Sequence, residues 1–138
     1  MTLQLDSLYI DEDLGTTGVW VDFYNGSRLK LASIENEKYK GYLARLAKKH
    51  RLQLDQNNDD STGLIQDITA EALAKHVLLD WEGVNLGDQK DASYNPEIGK
   101  KALLMAPKLK DFVMEQAGDY TNYNQKVVEE VKKPSSGS

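Results

Sequence analysis

The spacing of apolar residues divides the chain into an N-terminal strand pair and a series of amphipathic helices. Residues 19–24 are rich in β-branched and aromatic side chains, residues 27–32 alternate apolar and polar, and Asn25-Gly26 lies between them. Asn-Gly favours the positive φ angles of a two-residue hairpin turn. The pattern predicts a β-hairpin that packs on helices, because an isolated hairpin is only marginally stable in water.

Helical periodicity follows the hairpin. Asn36 is a suitable cap for an amphipathic helix that runs to about Leu54. A second helix is predicted from near Thr69 to Gly83, since glycine is typical of the position after a helix. That helix carries a broad apolar arc and a smaller apolar patch, which indicates either a central place in the core or a face shared with a partner. The smaller patch consists of Ile68, Ala72 and Leu79.

Two further helices are predicted from their first residues. Asn95-Pro96 is typical of a helix cap and first turn, and this helix runs to about Met105. Pro107 opens the last helix, whose apolar stripe extends over residues 109–131, a length of roughly 33 Å. The stripe contains Leu109, Phe112, Val113, Tyr120, Tyr123, Val127 and Val131. An alternative stays open, in which Gly118 breaks the helix and the remainder folds back onto the hairpin.

These elements predict a mainly α fold, a compact helical domain of three to four helices with an N-terminal β-hairpin. We expect one domain over residues 1–133, with the hairpin at about 17–33 and the helical part at about 36–132. The small-residue tail 134–138 is expected to be disordered. The polar stretch 55–63 is predicted to be a mobile linker, because its likeness to a calcium loop lacks the turn glycine and the final glutamate.

Charge and composition narrow the functional classes. The chain of 138 residues has a net charge of -5 and no cysteine, which removes disulfides and thiolate metal sites. We expect no metal or cofactor, since two histidines supply at most half a zinc site. Nucleic-acid binding is unfavourable at this charge, although basic residues cluster between positions 38 and 51. No apolar run reaches the ~18 residues of a membrane span, so we expect a soluble, unsecreted protein without membrane contact.

The sequence also predicts that the protein is not an enzyme. It shows no nucleophile beside a base, no phosphate-binding glycine loop and no metal-ligand spacing. His50 lies among apolar neighbours as a structural residue, and His76 and Asp80 are placed to pair on the surface of one helix. Two rivals remain open: an enzyme whose site assembles from distant residues around these histidines, and a nucleic-acid-associated adaptor. The adaptor would use the basic face of Lys40, Arg45, Lys48 and Lys49.

Three sequence blocks, in their order, resemble the tail assembly chaperones of long-tailed bacteriophages. The first is Gly18-Val19-Trp20-Val21-Asp22-Phe23 with Asn25-Gly26 and Leu29-Lys30-Leu31-Ala32; the second is Leu78-Leu79-Asp80-Trp81-Glu82-Gly83-Val84; the third is Tyr94-Asn95-Pro96-Glu97 leading to Leu109-Lys110-Asp111-Phe112-Val113. The resemblance covers about residues 15–125. It implies a non-enzymatic, mostly helical assembly factor of the host cytoplasm that is absent from the finished virion.

The same resemblance implies the partners. Such chaperones coat the tape-measure protein and bring tail-tube subunits to it, in many members through a longer form made by ribosomal frameshifting. From the apolar faces we predict five partner-binding residues: Leu79, Tyr120, Tyr123, Val127 and Val131. A 33 Å helix would project from a domain with a radius of gyration near 14 Å, so the last four would be exposed and would favour head-to-tail self-association. Phage or prophage origin, stoichiometry and the bound partner segment stay open.

Overall fold

The computed structural model describes residues 1–55, 59–125 and 127–128, without the side chains of residues 59 and 60. The elements in these ranges are α1 (Glu12–Thr17), β1 (Val19–Asp22), β2 (Arg28–Leu31), α2 (Glu37–Lys49), α3 (Arg51–Asp55), α4 (Asp59–His76), β3 (Leu78–Glu82), α5 (Pro96–Met105) and α6 (Pro107–Ala117). Short 3-10 turns occupy Leu5–Leu8, Tyr24–Gly26 and Tyr120–Tyr123. The predicted class, mainly α with an N-terminal hairpin, is confirmed; α1 and α3 are short additions to four longer helices.

The hairpin forms as predicted, but its loop is longer. β1 and β2 are antiparallel, with Val19 opposite Leu31 and Asp22 opposite Arg28, so residues 23–27 form the connection. Asn25 and Gly26 do adopt positive φ angles of 57° and 80°. The predicted two-residue turn is therefore wrong. Phe23 leaves the strand and packs its ring against that of Phe112, with the ring centroids 4.6 Å apart.

Residues 78–82 form a third strand, where the sequence predicted the end of a helix. α4 ends at His76, and β3 pairs antiparallel with β2, giving a sheet in the order β1-β2-β3. Leu78 and Trp81 are both buried, and their spacing of three residues imitates a helical period. In the strand, Leu79 has no partner between the pairs Leu31–Leu78 and Lys30–Asp80. This β-bulge turns both large side chains to the core, because one extra residue changes the alternation of faces.

Three of the four predicted helix starts are confirmed, whereas α4 begins at Asp59 and not near Thr69. The Asn36 side chain accepts a hydrogen bond from the Tyr39 N–H at 2.9 Å, and Asn95 accepts one from the Ile98 N–H at 2.9 Å. α4 packs against α2, α3, α5 and β3 and supplies much of the buried core. Ala72 and Ile68 are 0 % and 5 % exposed, so two members of the smaller apolar patch face the core.

The prediction of one long C-terminal helix is wrong, and the alternative, in which the helix breaks at Gly118, is confirmed. α6 ends at Ala117, and the Asp119 carboxylate accepts from the Thr121 N–H at 3.0 Å to cap a 3-10 turn. Glycine offers no side chain to pack and weakens a helix at this point. The Tyr123 ring is fully buried, and its hydroxyl donates to the Leu31 carbonyl at 3.1 Å. The chain therefore returns to the hairpin.

The ends of the described chain are tied together. The Asp11 N–H donates to the Tyr123 carbonyl at 2.7 Å, and the buried Asn124 amide donates to the carbonyls of Asp6 and Tyr9 at 3.0 and 2.9 Å.

Two predictions about polar segments concern residues that are only partly described. In the predicted linker 55–63, residues 56–58 lie outside the described ranges, and from Asp59 the chain is already helical. The predicted tail 134–138 lies wholly outside the described residues.

Candidate functional site

An apolar groove lies where α5 ends. Its volume is about 360 Å³, and it is lined by Leu86, Ile98, Lys101, Ala102, Met105 and Ala106. Met105 is 73 % exposed, and the adjacent Leu104 is 44 % exposed. We call the six lining residues the α5 groove; Leu104 lies outside it, in a neighbouring depression beside Pro107. Lys101 is the charged residue in its lining, so the surface is apolar with a single cation.

The α5 groove follows from an apolar run that one helix face cannot bury. Residues 102–106 are all apolar, and successive positions of a helix point about 100° apart. Leu103 faces the core at 1 % exposure, so Leu104 and Met105 face outward. Pro107 then ends the helix, because it has no backbone N–H to continue the ladder. Leu86 completes the groove from the preceding loop, held by two backbone hydrogen bonds with Gln89 at 2.8 and 2.9 Å.

Such a groove suits the apolar stripe of another helix. Burial of an exposed Leu or Met side chain contributes about 1.5–3 kcal/mol. Methionine also adapts its unbranched side chain to irregular surfaces. This surface was not predicted from the sequence. The apolar run 102–106 is nevertheless a signal, since some of its members must be exposed on any helix.

The described members of the predicted partner set do not share one surface, since Tyr123 is buried. Val127 is half-buried and lines a second groove of about 510 Å³ beside β1, together with Trp20 and Val128. Tyr120 is 37 % exposed and Tyr123 is fully buried. Burial of Tyr123 follows from the break of the helix at Gly118.

Leu79 and Val131 complete the predicted set. Leu79 is the half-buried bulge residue of β3, and it approaches Gly18 so closely that a Cβ there would lie 3.0 Å from its Cδ1. Val131 lies outside the described residues. Partner binding by these residues remains a prediction.

A polar network joins α2, α4 and α5. The Tyr42 hydroxyl donates to the Glu71 carboxylate at 2.6 Å, and Lys100 lies 3.4 Å from the same carboxylate and 3.0 Å from that of Asp67. The hydrogen bond from Tyr42, more than the neighbouring lysines, holds the pKa of Glu71 below its usual value. This network fixes the Tyr42 ring at the edge of α4.

The predicted pairing of His76 with Asp80 is wrong. His76 ends α4, whereas Asp80 lies on β3 and its carboxylate accepts from the Trp81 N–H at 2.8 Å. Burial lowers the pKa of His76, and the neighbouring cations Lys38, Lys75 and Arg45 lower it further. Within the described ranges, no three His, Asp or Glu side chains converge to hold a metal ion.

The fold and its surface define a small, mainly α module that exposes an apolar groove. A comparison with family models gives a match to the family described as YdaY prophage protein over residues 34–133. Since this range covers most of the chain, the protein belongs to the YdaY prophage protein family and is phage-related. No curated protein matches the chain, and no solved structure matches it. Among the described helices, none combines the length and apolar character needed to cross a bilayer.

Proposed function

We propose that this prophage protein is a tail assembly chaperone, a non-enzymatic factor that binds the tape-measure protein in the host cytoplasm and helps recruit tail-tube subunits. The observation that carries the proposal is that the three blocks resembling such chaperones meet in one packed unit. The first block is the hairpin, and the second is β3, which extends its sheet.

The third block joins the same unit through aromatic contacts. Tyr94 meets Trp81 edge to face, with ring centroids 4.9 Å apart, and its hydroxyl donates to the Ala74 carbonyl. Phe112 contacts Phe23 of the hairpin. Blocks that are separate in sequence are thus in contact in the folded chain, which supports treating them as one resemblance. The second and third blocks lie inside the range matched by the prophage family, and the first lies before it.

The α5 groove supplies a surface for this function. A tape-measure protein is a long helical chain whose apolar stripes need cover before the tube encloses them. Helix-in-groove packing buries such stripes through anchors spaced three or four residues apart. In this proposal Met105 and Leu86 contact the stripe, and Lys101 contacts a polar residue at its edge.

Co-expression with the tape-measure protein of the same prophage tests the proposal. We expect the two proteins to co-purify, and Met105→Glu to reduce the recovered complex strongly because a charge would be buried in an apolar contact. Gln53→Glu, at an exposed position of α3, is the matched control and should leave recovery unchanged. A soluble, intact tape-measure protein that fails to co-purify with the unaltered chain would refute the proposal.

A further inference from the structure

Three cations lie around the Tyr42 ring and the His76 imidazole on the α2–α4 face. The Lys75 ammonium lies 4.8 Å and the Arg45 guanidinium carbon 5.8 Å from the Tyr42 ring centroid. The His76 ring meets Tyr42 edge to face at 5.0 Å. Lys38 is near enough to act on His76 electrostatically. We call these five residues the Tyr42 cluster.

The cations of the Tyr42 cluster form no ion pair with any carboxylate whose side chain the structure describes. In the described part of the chain, no ion pair forms at Lys38, Arg45 or Lys75, although Lys40 pairs with Glu35 at 2.8 Å. The Glu71 carboxylate attracts the Lys75 ammonium at longer range. Its two oxygens already accept hydrogen bonds from Tyr42 and Lys100. The His76 imidazole likewise makes no hydrogen bond to any described residue. The cluster is therefore a concentration of donors and positive charge on a protein whose net charge is -5.

From this geometry we infer that the Tyr42 cluster is a docking site for an acidic protein segment, with Asp or Glu carboxylates seated between Arg45, Lys75 and His76. Charge complementarity identifies the occupant. Arginine and lysine donate charge-assisted hydrogen bonds to carboxylates, and these bonds are stronger than neutral ones. The Tyr42 ring holds the two cations in place through cation–π contacts.

The surroundings favour a short acidic segment over a nucleic acid. Duplex DNA carries a charge about every 1.7 Å along its axis, so its backbone would extend beyond the cluster. Glu35 and Glu37 stand beside the start of α2, and Asp67 and Glu71 line the α4 side. These carboxylates would repel a continuous phosphate backbone more than a short acidic segment that contacts only the cluster.

The test uses a short fluorescein-labelled oligoglutamate peptide and the full-length protein. We expect salt-dependent binding by anisotropy, a shift of the His76 ring resonances on titration, and about tenfold weaker binding by the double variant Arg45→Gln/Lys75→Gln. The control Lys90→Gln/Lys108→Gln removes the same charge at two exposed positions elsewhere and should bind like the unaltered chain. Thermal melts check that both variants fold.

Three results would overturn the inference. They are undetectable peptide binding, equal losses in the two double variants, and tighter binding of a short DNA duplex that is lost in Arg45→Gln/Lys75→Gln. The last result would identify the cluster as a nucleic-acid surface. Because the probe is a peptide, these outcomes do not depend on whether the tape-measure protein co-purifies, and failure of one proposal leaves the other standing.

Discussion

Removal of the Tyr123 side chain tests the return of the chain after Gly118. The ring is 0 % exposed and its hydroxyl is bonded to the Leu31 carbonyl at 3.1 Å. Truncation of a buried aromatic ring costs about 3–5 kcal/mol, and loss of one buried hydrogen bond about 1 kcal/mol. We therefore expect Tyr123→Ala to remove a large part of a total stability of about 5–15 kcal/mol, and Tyr123→Phe to cost about 1 kcal/mol.

Urea unfolding followed by tryptophan fluorescence measures both changes, since Trp20 and Trp81 report on the sheet. Tyr120 is the matched control three residues away, because it is 37 % exposed and Tyr120→Ala should change the free energy of unfolding by less than about 1 kcal/mol. On a projecting helix the two tyrosines would be equivalent. Equal and small effects of Tyr120→Ala and Tyr123→Ala would refute the buried position.

Four further outcomes are expected. Trp81→Phe should lower the free energy of unfolding by at least about 1 kcal/mol, since the indole N–H donates to a buried backbone carbonyl at 2.8 Å; an unchanged urea midpoint would contradict this. Gly99→Ala should destabilise the chain in thermal melts, because its Cβ would overlap the Tyr94 ring at 2.6 Å, and an equal or higher melting temperature would count against that packing. Tyr42→Phe should make acid unfolding shallower: the pKa of Glu71 is lowered in the folded state, so its stabilisation is present above its ordinary pKa of 4.5 and is lost as the pH falls below that value. Unfolding curves at several pH values measure it, and unchanged acid sensitivity would contradict the assignment. A chelator should leave the melting temperature unchanged, and a shift of several degrees would reveal a metal.

Local signals were sufficient for the starts of α2, α5 and α6 and for the hairpin. Asn36 and Asn95 cap their helices by the hydrogen bonds their side chains were expected to accept. Such caps depend on neighbours within three residues, which a sequence displays directly. Asn25-Gly26 also fixed the place of the chain reversal, although not the length of its loop, because the packing of Phe23 on a distant helix decided that.

The misread elements depended on distant partners. Leu78 and Trp81 have a helical spacing, and only the bulge opposite β2 makes that spacing compatible with a strand. The β-propensity of a segment is set largely by its neighbours in the sheet, which periodicity does not contain. Tyr123 appeared as a continuation of an amphipathic stripe, and its true partner, the Leu31 carbonyl, is 92 positions away.

The candidate surfaces were predicted only in part. The sequence predicted exposed apolar residues on the longest helical stripe, residues 109–131. The exposed pair Leu104 and Met105 instead lies at the end of α5, just before Pro107. Of the basic face predicted on α2, only Arg45 belongs to the Tyr42 cluster. Its convergence with Lys75 and His76 of α4 required the packing of the two helices.

The hydrogen bonds between the two ends of the described chain bear on how the family should be delimited. Residues 6–11 form hydrogen bonds with Tyr123 and Asn124. β2 accepts a hydrogen bond from the Tyr123 hydroxyl and pairs with β3. A fragment that starts at residue 34, where the family match begins, would lack all of these hydrogen-bond partners and would leave β3 without β2. We therefore expect the matched range to be less stable alone than within the whole chain. Homologues that keep only this range would need another chain, or a different N-terminal segment, to complete the sheet.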